Sequence, residues 1–166
     1  MRKIITERLI MRPFDAADIN YLIHLKGSPT NMAGTTVGPI DATQATIQLD
    51  HYRQQWKDLG LGMWSLTHKA SGEFVGECGY VKRPDLDDFS LRYTLSDSWW
   101  GQGLTPEAVQ AALHYGLNNA YLKEVSALAL ASNERSCRIL ETSGMSVVDN
   151  NFGGRSNFHR YQLTQK

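Results

Sequence analysis

Residues 89–132 hold a pattern that few architectures accept. FSLRYTLS alternates as a strand, DSWWGQGLT makes a glycine-bearing turn, PEAVQAALHYGL has helical periodicity, and EVSALALAS is an apolar run of strand length. A helix between two strands rules out a tight hairpin between them. It carries the chain across the sheet and sets the second strand parallel to the first, with a right-handed crossover. The fold must therefore contain a parallel pair with a helix lying over it.

The remaining segments place this unit in a larger sheet. RLIMRP (8–13) reads as a strand ended by Pro13, and Asp15 opens a helix with Ile19, Leu22 and Ile23 on one face and Asp18 in the capping-box position. KGSPTNMAGTTVGP (26–39) is aperiodic and reads as a loop long enough to carry function. Asp41 caps a helix with Ala45, Leu49, Tyr52, Trp56 and Leu59 on one stripe, ending near Gly60. Strands follow at 62–68 and 74–81, joined by a turn at 69–73. RPDLDD (83–88) is a polar turn into the strand at 89–96, and a helix runs from Asn133 to Gly144. The tail suggests two strands around a Gly153–Gly154 turn. The expected fold is α/β: one domain over 1–166 with a mixed, mostly antiparallel sheet of about seven strands and helices on both faces.

Composition narrows the partners. The 166 residues carry 17 Lys+Arg and 17 Asp+Glu, a net charge of zero, which offers no broad electrostatic surface for nucleic acid or an anionic membrane. Cys78 and Cys137 lie far apart with no metal-ligand spacing, so neither a disulfide framework nor a metal is expected, and a cytoplasmic location fits. No apolar stretch is long enough to cross a bilayer. The five histidines form no recognisable triad and read as surface or packing residues. Trp56, Trp64, Trp99 and Tyr93 read as core or pocket wall.

The turn before the helix at 106–117 has the chemistry of an anion cradle. Gly101 and Gly103 let the backbone bend, and the N–H groups there and in the first helical turn converge without partners. Thr105 is the expected N-cap, Pro106 suits the first helical position, and Glu107 lies in the first turn. The plainer reading is a strand-to-helix turn that uses glycine for geometry. The Walker pattern GxxxxGK[ST] is absent, and GQGLTP does not satisfy GxGxxG, so a nucleotide-phosphate enzyme is the weaker anion reading.

TERLIMRPFDAAD (6–18), YTLSDSWWGQGLTPEAVQAALHYGL (93–117) and NERSCRILETSGM (133–145) together resemble the GNAT superfamily of acyl-CoA-dependent N-acyltransferases. More narrowly, they are similar to the branch with the ribosomal-protein N-terminal acetyltransferases. The resemblance implies a splay between the fourth and fifth strands (89–96 and 124–132), with the pantetheine arm of coenzyme A lying there beside Leu95 and Ser96. The family's pyrophosphate loop falls on Trp100, Gly101, Gln102, Gly103, Leu104 and Thr105, with Trp100 and Thr105 departing from the usual residue types. Asn133 matches a position that binds the arm, and it also suits the N-cap of its own helix.

The resemblance further implies acetyl-CoA as cosubstrate, no metal, and an amine acceptor: a peptide or protein N-terminal α-amine, or a small amine. A tyrosine common in relatives is replaced by Leu140. Ser136 matches a serine suggested as the acid in this branch, or it contacts cofactor or backbone. A glutamate common on the fourth strand is replaced by Ser90, which leaves Glu77 as candidate base, or as an ion-pair partner of an arginine such as Arg92. The loop 26–39 and the turn 83–88 are expected to border the acceptor cleft, and exposed strand edges near the C-terminus leave room for a homodimer. The rival reading is a catalytically inactive CoA-binding sensor or interaction domain.

Overall fold

Local capping signals build the first half of the chain largely as the sequence indicates. In the computed structural model, which describes residues 2–83, 88–152 and 157–165, Asp15 and Asp18 form a reciprocal capping box on a short 3-10 turn leading into helix α1 (Ile19–Gly27). Asp41 and Gln44 form a second one at the start of α3 (Ala42–Leu59), which Gly60 ends in the left-handed conformation at φ 69°. Ala45, Leu49, Tyr52 and Trp56 of α3 are buried, whereas Leu59 is half exposed in the last turn. The expected loop 26–39 is partly helical. Lys26 and Gly27 end α1, and Ser28 caps a single turn, α2 (Pro29–Met32), with Pro29 at the first helical position.

The strands are β1 (Ile4–Ile5), β2 (Leu9–Pro13), β3 (Met63–His68), β4 (Phe74–Arg83), β5 (Asp88–Leu95), β6 (Glu124–Leu130), β7 (Ser146–Asp149) and β8 (Phe158–Thr164). They form one open eight-stranded sheet in the order β1-β2-β3-β4-β5-β6-β8-β7. The eighth strand is β1, too short to show a period, which pairs Ile4 with Met11. Every pairing is antiparallel except β5 with β6, where only Ser90 and Ser126 are in register before the strands diverge. This is the expected splay. Its closed end is pinned from three strands: Ser126 donates to Asp88 at 2.8 Å and Arg160 of β8 donates to the same carboxylate at 3.0 Å.

Helices cover both faces. On one, Phe14, Leu22 of α1, Leu49 and Tyr52 of α3 and Met63 form a cluster. On the other, α4 (Leu104–His114) buries Leu104, Ala108, Val109, Ala112 and Leu113 against β2–β5. The Tyr80 hydroxyl donates to the carbonyl of Ala112 at 2.7 Å, and a side-chain carbon at Gly116 would collide with that phenol. There α4 widens into a π-turn (Tyr115–Asn119), as expected where a side chain inserts into the helical ladder. Helix α5 (Glu134–Thr142) follows β6, and Asn133 caps it. The expected turns at 83–88 and Gly153–Gly154 fall mainly outside the described residues.

Candidate active site

The cradle begins where β5 ends. A short 3-10 turn (Asp97–Trp99) leads to Trp100; Gly101 then takes φ 76° and Gly103 φ 77°, conformations that suit glycine. Gly103 itself is the N-cap, so α4 starts at Leu104, earlier than the sequence indicates. Thr105 is not the cap; it is a buried first-turn residue, and Pro106 sits third, where its missing N–H still costs no helical bond. The left-handed glycine makes the sharp bend without a side-chain cap. Among the described residues, the N–H groups of Gly101, Gln102, Gly103, Leu104 and Thr105 donate to no acceptor. An αL residue next to a helix N-terminus gathers such donors into a concave positive site that matches a diphosphate.

Glu107, read from the sequence only as a first-turn acid, holds this turn in place. Its carboxylate accepts from the Thr6 hydroxyl at 2.7 Å and from the backbone N–H and Nε of Arg8, both at 2.8 Å. Arg8 Nη1 in turn donates to the Gln102 carbonyl at 2.6 Å. Holding that oxygen on Arg8 fixes the orientation of the peptide unit between Gln102 and Gly103. Burial alone would raise the Glu107 pKa, but the bonds from Thr6 and Arg8 outweigh it and hold the carboxyl below its ordinary value.

A cleft of about 410 Å³ opens from the splay. Its wall on β5 follows from register. The Ser96 N–H donates to the Val75 carbonyl at 2.9 Å, so alternate residues Leu91, Tyr93 and Leu95 turn their main-chain groups to the other edge, towards β6. Leu95 therefore turns its main chain to the splay, and the Trp100 indole already donates to its carbonyl at 2.9 Å. Ser96 does not: its N–H serves β4, and its carbonyl accepts from Trp99. Tyr93 stands in its place on the splay edge.

Across the cleft, Asn133 Oδ1 accepts from the Ser136 N–H at 3.1 Å, and its Nδ2 donates to the Gly34 carbonyl at 2.8 Å. Asn133 thus caps α5 and ties it to the loop after α2. The Arg135 guanidinium lies 5.7 Å from the Trp100 ring centre, bridging α5 to the cradle. Ser136 Oγ is 2.6 Å from the Tyr93 hydroxyl. Burial pushes the Tyr93 phenol well above its ordinary pKa, against the pull of the Ser136 hydrogen bond, so it stays protonated at neutral pH. Leu140, at the position of the absent tyrosine, is fully buried in the core.

Glu77 also lines the cleft, fully buried, but its partner is not Arg92. Lys26 Nζ lies 2.8 Å from Oε1, and the Tyr52 hydroxyl bonds both carboxylate oxygens at 3.0 and 2.9 Å. Thr94 is the cross-strand neighbour of Glu77, while Arg92 stands opposite Gly79. Burial first, and then the adjacent Glu77 charge, push the Tyr52 phenol far above its ordinary value and keep it a donor. The loop 26–39 lines the cleft through residues including Asn31, Met32 and Thr35. Among the described residues no group of three or more His, Cys, Asp or Glu side chains is placed to hold a metal ion.

The fold has clear relatives. The model of the acetyltransferase (GNAT) domain matches residues 8–146, and the chain belongs to that family. An uncharacterized protein of Bacillus subtilis strain 168, YkkB, is 28% identical over 145 residues, covering 86% of this chain and 84% of that one. An acetyltransferase of Agrobacterium tumefaciens strain C58 shares the fold with a TM-score of 0.88 at 22% identity, over 99% of this chain and 95% of its own. RimL, a ribosomal L7/L12 alpha-N-protein acetyltransferase solved with coenzyme A, gives 0.78 at 12% identity over 97% and 96%. Ribosomal-protein acetyltransferases are therefore among the structural neighbours. No helix is long and apolar enough to cross a membrane among the described residues.

Proposed function

We propose that this domain is an acetyl-CoA-dependent N-acetyltransferase that passes the acetyl group directly to a primary amine. One observation carries the reading: the unpartnered N–H groups of Gly101 to Thr105 belong to a turn whose two ends, Trp100 and Thr105, line the cleft that opens from the β5–β6 splay. The residues fit the cosubstrate, since backbone donors take a diphosphate and the exposed edge of β5 takes an extended amide-bearing arm. When bound, acetyl-CoA supplies an activated thioester. The cradle and the Leu95 main chain hold it in line, and β5 N–H groups facing the splay stabilise negative charge developing on its oxygen.

As the new C–N bond forms and the C–S bond breaks, one proton leaves the amine and one reaches the departing sulfur. The hydroxyl pair of Ser136 and Tyr93 is the proposed donor to sulfur, with Tyr93 protonated at working pH. Glu77 is the proposed receiver of the amine proton through water, because Lys26 and Tyr52 engage its oxygens directly. The acceptor is a peptide or protein α-amine or a small amine, reached from the face that carries Glu77. Two free cysteines support a reducing, cytoplasmic setting.

The same engagement of Glu77 favours a second reading, a CoA-binding module without turnover. Thiol release from acetyl-CoA across a panel of amines separates the two. Release with at least one amine is expected; CoA binding with no release for any amine establishes the second reading.

A further inference from the structure

Arg92 is a cation in the cleft wall without a partner. It makes no hydrogen bond or ion pair among the described residues, and its cross-strand neighbour Gly79 has no side chain to offer it. The other charges of the cleft are spoken for. Lys26 binds Glu77, the only carboxylate among the described lining residues, and Arg135 stacks on Trp100 at the cradle end.

Register fixes where Arg92 acts. It lies two residues from Thr94 on β5, and so shares the face of Glu77, about 7 Å along the strand from the Glu77–Thr94 pair. The side chain is exposed, and its charge reaches the buried Tyr52 phenol that is bonded to Glu77. An amine approaching the splay over Glu77 therefore passes a guanidinium whose planar donors suit a carboxylate. The same charge opposes a polycation.

We infer that Arg92 selects acceptors that carry a carboxylate near the reacting amine: an amino acid, or a peptide with an acidic first residue. This rests on the acetyltransferase reading above and names its substrate class. The free amino acid and the acidic peptide share the chemistry, and the test distinguishes them.

The test measures thiol release by the full chain with matched acceptors: leucine against leucinamide, an Asp-Ala dipeptide amide against its Asn counterpart, and spermidine. The amides are the better nucleophiles at neutral pH, so preference for the acid within a pair reports binding. The expected kcat/KM is on the order of ten-fold higher for the acid in at least one pair. Arg92→Ala brings that ratio close to one, and Arg92→Lys keeps part of it. Preference in the leucine pair marks a free amino acid, and preference in the dipeptide pair marks an acidic N-terminus. A ratio near one in the native protein, a ratio unmoved by Arg92→Ala, or a preference for spermidine overturns the inference and leaves the acetyltransferase reading standing. No release with any acceptor overturns both.

Discussion

Arg8 Nε and Glu107 Oε2 are 2.8 Å apart although 99 positions separate the two residues. The contact ties the chain just before β2 to the first turn of α4, and Arg8 carries it on to the Gln102 carbonyl. Glu107→Ala removes the acceptor of three bonds and is expected to cost about 1–3 kcal/mol of stability. It also frees the loop, so CoA affinity by calorimetry should fall about ten-fold. Unchanged affinity in a folded Glu107→Ala protein would show that the cradle keeps its shape unaided.

Acid should loosen the same joint. The folded pKa of Glu107 is lowered, so its contribution is complete above the unfolded value, ~4.3, and is lost as pH falls through the folded value. Asp18 behaves alike: burial raises its pKa, but the hydrogen bonds from Arg12 and from the Asp15 N–H bring it below normal. Melting temperature should therefore change little on this account from pH 7 to 5 and drop below about pH 4, with a shallower drop in Glu107→Ala. An identical acid limb in the variant would remove Glu107 from this role.

Tyr93→Phe and Ser136→Ala test proton delivery to sulfur. Each should lower kcat about 10- to 100-fold with the KM for acetyl-CoA little changed. A KM effect alone would make the pair a cofactor contact and not an acid.

Lys26 and Glu77 form a buried pair, and breaking one side leaves a lone charge. Lys26→Met should destabilise by about 3–5 kcal/mol, and Lys26→Met with Glu77→Gln should recover most of it. Glu77→Gln should lower the rate at neutral pH, with partial recovery at higher pH, and the double variant should stay slow despite its recovered stability. A double variant as fast as the native protein would make the pair purely structural.

What the sequence disclosed is mostly local. The Asp15–Asp18 box, the Asp41 cap and the Gly60 stop depend on neighbours within a few residues, so pattern reading reaches them. The crossover from β5 to β6 follows from chain connectivity. The sequence sets the start of α4 too late because Thr105 and Pro106 imitate a cap, whereas the bend is made by the left-handed φ of Gly103. The partners of Glu77 are not legible for a different reason: Lys26, Tyr52 and Glu77 come from α1, α3 and β4, and only the packed fold unites them. Tyr93 reads as pocket wall, and its bond to Ser136 joins β5 to α5, 43 positions on, an approach that no local pattern encodes. Ser96 misled because strand alternation has no visible phase until its Val75 partner is known.

The most direct measurement compares coenzyme A with pantetheine, which has the same thiol-bearing arm but no diphosphate, by calorimetry on the native chain. Backbone donors from Gly101 to Thr105 should make coenzyme A bind at least about 100-fold more tightly, as several charge-assisted hydrogen bonds imply. Equal affinities for the two would contradict the account.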